Sequence, residues 1–267
     1  MFHRKTGVGA MRAPWALVGL SLLAPPGVPE LRAQNRDFLF GTPRATLSLR
    51  AGLAMPRAGG GNGGVSLWDD IRDQLTVKTA DLYGPYVAAE FGIRASEHVD
   101  FVFGVGHTSS ATRSEYRHWE FEDDAPITQT TEFTTTPLTA GVKAYFLPRG
   151  RAIGSYAWIP RTLNPFAGAA AGIVRYRFEQ YGHFVDYETR EVFNDRLQSV
   201  ETGAAAHFFA GIDVGVGNRT MFTAEARYGF ARAPLARDRL PDRDRFLGFA
   251  DLDLAGLQIS GGIGFRL

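Results

Sequence analysis

The chain has 267 residues, a formal net charge of +1, no cysteine, 31 glycines and 20 phenylalanines. The missing cysteine excludes disulfides, thiolate metal sites and thiol catalysis, and the balanced charge sets aside a nucleic-acid partner. A mean hydropathy of −0.13 is too polar for a bundle of membrane helices; a transmembrane barrel, in which only alternate residues meet lipid, has such a value.

Residues 1–33 read as a secretory signal peptide. His3, Arg4, Lys5 and Arg12 precede an apolar run from Ala13 to Ala24, which Pro25, Pro26 and Pro29 close. Cleavage is expected after Ala33, although Leu31 is larger than the residue usual at its position, and Met11 is an alternative start. The apolar run is too short to span ~30 Å of hydrocarbon, and no later segment offers the ~18 consecutive apolar residues of a spanning helix.

Residues 34–267 then alternate in eight segments. They run from Ala45 to Ala54, Tyr83 to Ala95, Val99 to Thr108, Thr134 to Phe146, Pro165 to Phe178, Ala206 to Val216, Met221 to Phe230, and Phe249 to Leu267. A period of two marks a strand with one apolar and one polar face, and about ten residues suffice for a tilted strand to cross a bilayer. In the fifth segment the run from Ala167 to Gly172 leaves the two faces unassigned. The last segment is the clearest: Leu257, Ile259, Gly261, Ile263, Phe265 and Leu267 share one side, and Gln258, Ser260, Gly262, Gly264 and Arg266 the other. A closed barrel accounts for a strand at the chain end, because the last strand pairs with the first and leaves no edge. The predicted fold is therefore all-β, an eight-stranded antiparallel transmembrane β-barrel. Ten strands are the alternative if 147–164 or 185–200 pairs.

The connections alternate too. Ser96 to His98 and Gly217 to Thr220 are tight turns; Pro56 to Leu82, Ser109 to Phe133, Glu179 to Ala205, and Ala231 to Gly248 are long and mostly polar. Leu147 to Asn164 is longer than a turn but falls on the same side as the turns. Long loops outside and short turns in the periplasm are the asymmetry of outer-membrane barrels, and an even strand count puts both termini in the periplasm. The glycine run from Gly59 to Gly64 reads as a flexible loop tip, since no Lys-Ser or Lys-Thr follows it to make a phosphate loop. Val65 to Val77 predicts a short amphipathic turn over the rim.

The inward-facing sets carry charge: Arg50, Glu90, Arg94, Lys143, Glu225 and Arg227, with Asp100 and Asp213 nearer strand ends. An eight-stranded barrel has room inside for little more than side chains, and unpaired charge there is costly. The expectation is an ion-pair network that fills the lumen; the competing reading is a polar constriction that selects a solute. A soluble calyx of lipocalin type would bury apolar residues instead. Tyr83, Tyr228, Phe230, Phe265 and Trp158 are expected in interfacial girdles. The histidines show no metal-ligand spacing, and no cofactor is called for. Asp123-Asp124 and Asp242-Arg243-Asp244 read as solvated loop charge, with binding of calcium or of a lipopolysaccharide-bridging cation as the second reading.

Three stretches, Pro137 to Phe146, Thr223 to Tyr228 and Gly262 to Leu267, resemble the small outer-membrane barrels of the OmpW and OmpA-transmembrane-domain type. The resemblance implies residence in the outer membrane of a diderm bacterium and contact with its lipid and lipopolysaccharide. It also implies assembly by the barrel machinery, which reads the terminal strand through Ile263, Phe265 and Leu267. That signal usually ends on an aromatic; here Leu267 is last and Phe265 takes the aromatic role. Barrels of the OmpW type are associated with passage of small hydrophobic compounds through a narrow lumen with a lateral opening. Separately, His107-Thr108-Ser109 is similar to the His-x-Ser pair of barrel lipid A deacylases, with Glu120 or Glu122 as the orienting acid. Residues two apart share a strand face, as such a pair requires, but this one stands on the third strand rather than late in the barrel. The expected function is structural or a narrow passage for small solutes, not enzymatic. A surface-loop binding or adhesion barrel is the alternative, and a lipid A-modifying enzyme using His107 and Ser109 comes third. Nothing in the sequence specifies a solute or an oligomeric state.

Overall fold

A computed structural model describes residues 38–59, 66–154, 156–235, 249 and 251–267. The expected signal segment, most of the glycine-rich tip and Asp242 to Asp244 lie outside the described residues.

Eight strands form the barrel: β1 (Ala45–Pro56), β2 (Gly84–Arg94), β3 (Val99–Glu120), β4 (Pro126–Tyr145), β5 (Leu163–Val185), β6 (Val192–Gly215), β7 (Thr220–Ala233) and β8 (Gly256–Arg266). Each pairs antiparallel with its successor, and β8 closes the ring on β1 from Gly256 opposite Pro56 to Arg266 opposite Thr46. From Val105, the pairing followed through β2, β1, β8 and β7 reaches Val214 of β6. Followed the other way through β4 and β5, it reaches Ala204, ten residues away. With eight strands, that stagger sets a tilt of about 40°.

Alternation places the apolar residues outside. Leu49, Val87, Phe103, Leu138, Ile173, Phe208, Phe222 and Ile263 are all exposed. An apolar band carried by every strand is stable only against lipid, so the barrel spans a membrane. In the Ala/Gly run of β5 the even positions face inward. A Cβ on Gly168 would stand 2.3 Å from the ring of Phe209, so glycine is what lets that ring lie flat against the wall.

Two of the expected long loops are strand. β3 continues to Glu120 and returns through 121–125, and β5 continues to Val185 and returns through 186–191. Beyond the apolar band the outward positions are polar (Thr128, Thr130, Glu132, Thr134, Arg175, Arg177), so hydrophobic periodicity ends although extended structure does not. The stretch 185–200 thus belongs to β5 and β6. In 147–164, Gly150–Ile153 pairs with Ala157–Pro160, which pairs with Leu39–Phe40 in a separate three-stranded sheet. The barrel has eight strands, not ten. Trp158 is no girdle residue: it is 3 % exposed, with the Arg266 guanidinium 6.0 Å from its ring centre. The last strand starts at Gly256 rather than Phe249; the residues before it give a short pairing of Leu252–Asp253 with β7.

β3 to β6 stand taller than β1, β2, β7 and β8 and form a half-shell beyond the ring. Its concave face carries Tyr116, Ile127, Phe133, Tyr176, Phe178 and Val185. The connection after β1 fills it. Rather than a turn over the rim, this connection holds a helix, α1 (Leu67–Gln74), which buries Leu67, Trp68 and Ile71. The Trp68 ring meets Phe133 and Phe178 edge-on at 5.2 and 5.7 Å, and its Nε1 donates to the Asp253 carbonyl at 3.2 Å. Leu75, Val77, Leu82 and Leu252 complete this plug. Leu75 bridges Tyr116, and the Thr76 N–H donates to the Glu115 carbonyl at 2.9 Å, so the connection also lies along the edge of β3.

Candidate functional site

The middle of the lumen is packed with charge. Arg50 of β1 donates to Glu90 of β2 (Nη2 to Oε2, 2.7 Å) and, through Nη1, to Glu225 of β7. Arg227, two residues along β7, bridges the same carboxylates at 2.9 Å to Glu225 and 3.3 Å to Glu90. Lys143 of β4 lies 3.7 Å from Glu90 and 3.5 Å from Asp213 of β6, with its ammonium 3.7 Å above the centre of the Phe166 ring. Asp213 also accepts from Thr223 Oγ1 at 2.7 Å and from the Tyr145 hydroxyl at 3.2 Å. Arg50, Lys143 and Arg227 therefore face Glu90, Asp213 and Glu225, all six buried. The sum of charge is zero and each ion has at least one partner of opposite sign, the condition under which burial is tolerated.

Glycines and small residues at the intervening inward positions make room for these long side chains. A Cβ on Gly262 would lie 2.8 Å from Cγ of Arg50, and one on Gly211 would lie 2.6 Å from the Phe166 ring. The alternation that puts charge inside thus also keeps its neighbours small.

Of the six inward charges read from the sequence, the structure brings five together. Arg94 is half-buried nearer the chain termini, where it lines a small cleft with Arg149, Asp213 and Arg266. Asp213, which the sequence puts near a strand end, is a full member of the network. Asp100 belongs to a second pair: Arg149 donates to it at 2.7 Å and to the Ser96 carbonyl at 3.1 Å. Arg149 lies in a connection, where alternation gives no facing, and its role had no signal in the sequence. Beside it, Arg266 donates to the carbonyls of Gly217 and Asn218 at 3.2 and 3.1 Å. Above the central network comes a cavity of about 50 Å3 bounded by Ala54, Leu82, Thr108, Phe133 and Leu254, and then the apolar plug. Among the described residues, the central network, this small cavity and the plug follow one another along the lumen.

His107 and Ser109 are exposed on the outer face of β3. His107 Nδ1 is 3.1 Å from Thr136 Oγ1, and Ser109 Oγ accepts from Thr134 Oγ1 at 3.5 Å. Glu120, the suggested acid, lies about 40 Å further along the extended chain, and Glu122 lies in the turn beyond it. A nearer carboxylate, Glu132, stands opposite Ala111 and accepts from the Tyr181 hydroxyl at 3.1 Å. The pair shares a face but has neither a mutual hydrogen bond nor an orienting acid. Among the described residues no group of three or more His, Cys, Asp or Glu is placed to hold a metal ion. On β8, Ile263 and Phe265 face outward opposite Leu49 and Leu47 of β1, and the Leu267 N–H donates to the Ala45 carbonyl at 2.9 Å.

No family model matches the chain, and no curated protein is similar to it. Among solved structures it is similar to the outer membrane protein OprG of Pseudomonas aeruginosa, at 12 % identity and a TM-score of 0.44 over 86 % of this chain and 99 % of that one. It is also similar to Ail, the attachment invasion locus protein of Yersinia pestis, at 10 % identity and a TM-score of 0.41 over 84 % and 99 %. Neisserial surface protein A follows at 11 % identity and a TM-score of 0.39 over 84 % and 96 %. The strand register, the closure of β8 on β1 and the apolar exterior carry the assignment on their own: the chain is an eight-stranded β-barrel of the outer-membrane type.

Proposed function

We propose that the barrel sits in the outer membrane of a diderm bacterium, does not conduct along its axis, and serves to hold its plugged half-shell outside the cell as a structural or binding surface. The observation that supports this reading is the neutral network of Arg50, Glu90, Lys143, Asp213, Glu225 and Arg227, which fills the lumen at mid-height. The orientation follows from the asymmetry of the ends: short turns and both strand termini on one side, the tall hairpins on the other. The test is single-channel conductance of the refolded barrel in a planar bilayer, alongside variants at Arg50, Glu90, Lys143 and Glu225. A silent, heat-modifiable, membrane-inserted barrel is expected. Discrete conductance that changes with those substitutions overturns the reading and makes the charges a filter.

One observation favours a second reading, lateral passage of small hydrophobic solutes. The β3–β4 pairing skips Gly106 and His107 opposite Thr136 and Pro137, where proline has no N–H to give. The cavity bounded by Thr108, Ser109 and Thr135 lies next to that gap. Uptake of a fluorescent alkane-chain probe into vesicles carrying the barrel tests it. Uptake that falls when Ser110→Phe fills the cavity supports lateral passage, and uptake equal to empty vesicles rejects it.

A further inference from the structure

On the outer wall of β3 to β6 the change from apolar to polar follows the hydrogen-bonded ladder. Val105, Leu138, Ile173 and Ala204 stand side by side and are the last apolar set. Two residues on, Thr136, Arg175 and Thr202 are aligned, with His107 bonded to Thr136. Two further, Ser109, Thr134, Arg177 and Val200 are aligned. Neither set contains a carboxylate. The next contains two, and one of them is unusual. Glu179 faces outward by alternation yet is 0 % exposed, because Arg177 and Arg196 both close on it. Their own side chains are 51 % and 65 % exposed. One buried carboxylate thus fixes two guanidiniums at the surface, and Arg175, about 7 Å below Arg177 on the same face, is exposed and has no ion pair among the described residues. The patch holds three guanidiniums, two of them fixed by Glu179, against two carboxylates, Glu179 and its cross-strand neighbour Glu132.

We propose that this patch binds the phosphates of lipid headgroups in the outer leaflet, those of a phosphorylated glycolipid. The inference rests on the outer-membrane reading given above. Guanidinium forks match phosphate oxygens bidentately, and the hydroxyls of Thr136 and Thr202 are aligned with Arg175 on the same face. The choice of a lipid rather than a dissolved anion rests on continuity: Ile173, Leu138 and Val105 lie directly below, so a molecule held by Arg175 and Arg177 has its acyl chains against the apolar band. Glu179 is a positioning residue here, holding Arg177 and Arg196 at the surface.

The test uses the refolded full chain in nanodiscs of zwitterionic phosphocholine lipid, with diphosphoryl lipid A as the probe. Lipid A retained per barrel is read by native mass spectrometry. Heat-shifted migration is read in parallel, so that failure of the barrel is distinguished from failure of the patch. Retention is expected to fall at least tenfold in Arg175→Gln/Arg177→Gln and to stay unchanged in Arg190→Gln, which alters an exposed arginine of the distal turn. Should the double variant not insert, Arg175→Gln carries the test alone, since Arg175 makes no bond to Glu179; a loss of at least threefold is expected. Equal retention in the variants, or equal retention of a dephosphorylated lipid A, overturns the proposal. Displacement of the probe by an equal concentration of inorganic phosphate also overturns it, by assigning the patch to a soluble anion.

Discussion

Below the step from Ile173 to Arg175 the barrel is apolar outside and charged within; above it the same strands are charged outside and apolar within. β5 shows the inversion along one chain. Its outward face reads Ala169, Ala171, Ile173, then Arg175 and Arg177, while its buried inward face passes from Asn164 to Tyr176 and Phe178. The strand keeps its alternation throughout, and only the medium on its convex side changes. Lipid outside requires apolar side chains there and leaves the lumen to whatever packs and neutralises. Water outside reverses the requirement, and the half-shell is built like an ordinary soluble sheet that needs a hydrophobic insert. The teaching is that polarity follows solvent and not strand.

The largest expected effect breaks the lower region alone. Glu90→Ala removes the carboxylate shared by Arg50, Arg227 and Lys143 and leaves buried cations short of partners, at a cost of about 4 kcal/mol. Urea unfolding of the whole barrel, followed by heat-modifiable migration, reports it. Next comes the upper region alone. Trp68→Ala empties the centre of the plug and is expected to cost about 3 kcal/mol locally. Limited proteolysis within 66–83 should accelerate while the midpoint of barrel unfolding holds; a joint shift would mean that the two regions fold as one. Arg57→Ala tests the seam between them. Its side chain is half-exposed, and the buried Asp253 keeps the N–H groups of Gly59 and Ala255, so a loss of about 1 kcal/mol or less is expected by the same proteolysis assay.

The smallest effect has the opposite sign. Partial burial in the plug raises the Asp70 carboxyl above the usual carboxylate range, despite a hydrogen bond from Gln74. A carboxyl that holds its proton more tightly when folded adds stability as pH falls through its raised value, and the gain is complete below the unfolded value of about 3.9. Protection factors of 66–75, referred to the intrinsic exchange rate at each pH, should therefore rise slightly between pH 7 and pH 4, and Asp70→Asn should remove that slope.

The sequence made the lower region legible and the upper one obscure for the same physical reason. Against lipid, every second residue must be apolar, and the segments from Leu47 to Leu53 and from Leu257 to Leu267 announce their facing. Lysine, arginine and glutamate on the opposite face are then inward by elimination. Above the membrane, Thr128 to Thr136 are strand because threonine is β-branched and well paired, but neither face gives a hydrophobic beat. Trp158 carries the residue type of a girdle and the position of a stopper, a distinction that depends on the small sheet around it. Glu179, Arg177 and Arg196 come together across two strands whose pairing was not readable, so their association left no trace in the linear order.

The connection laid along β3 from Arg72 to Asp81 has a consequence for copies that share one membrane. A tall sheet rising from a membrane offers its neighbours a row of unpaired backbone groups, and adjacent copies in the same leaflet are already aligned to accept one another. On β3 the connection covers that row: the Thr76 N–H donates to the Glu115 carbonyl, the Glu115 N–H donates to Thr76 Oγ1, and the side chains of Arg117 and Thr112 tie the Arg72 and Asp81 carbonyls alongside. Along this border the barrel is a bad template for its own kind, and many copies can stand shoulder to shoulder without knitting into a shared sheet.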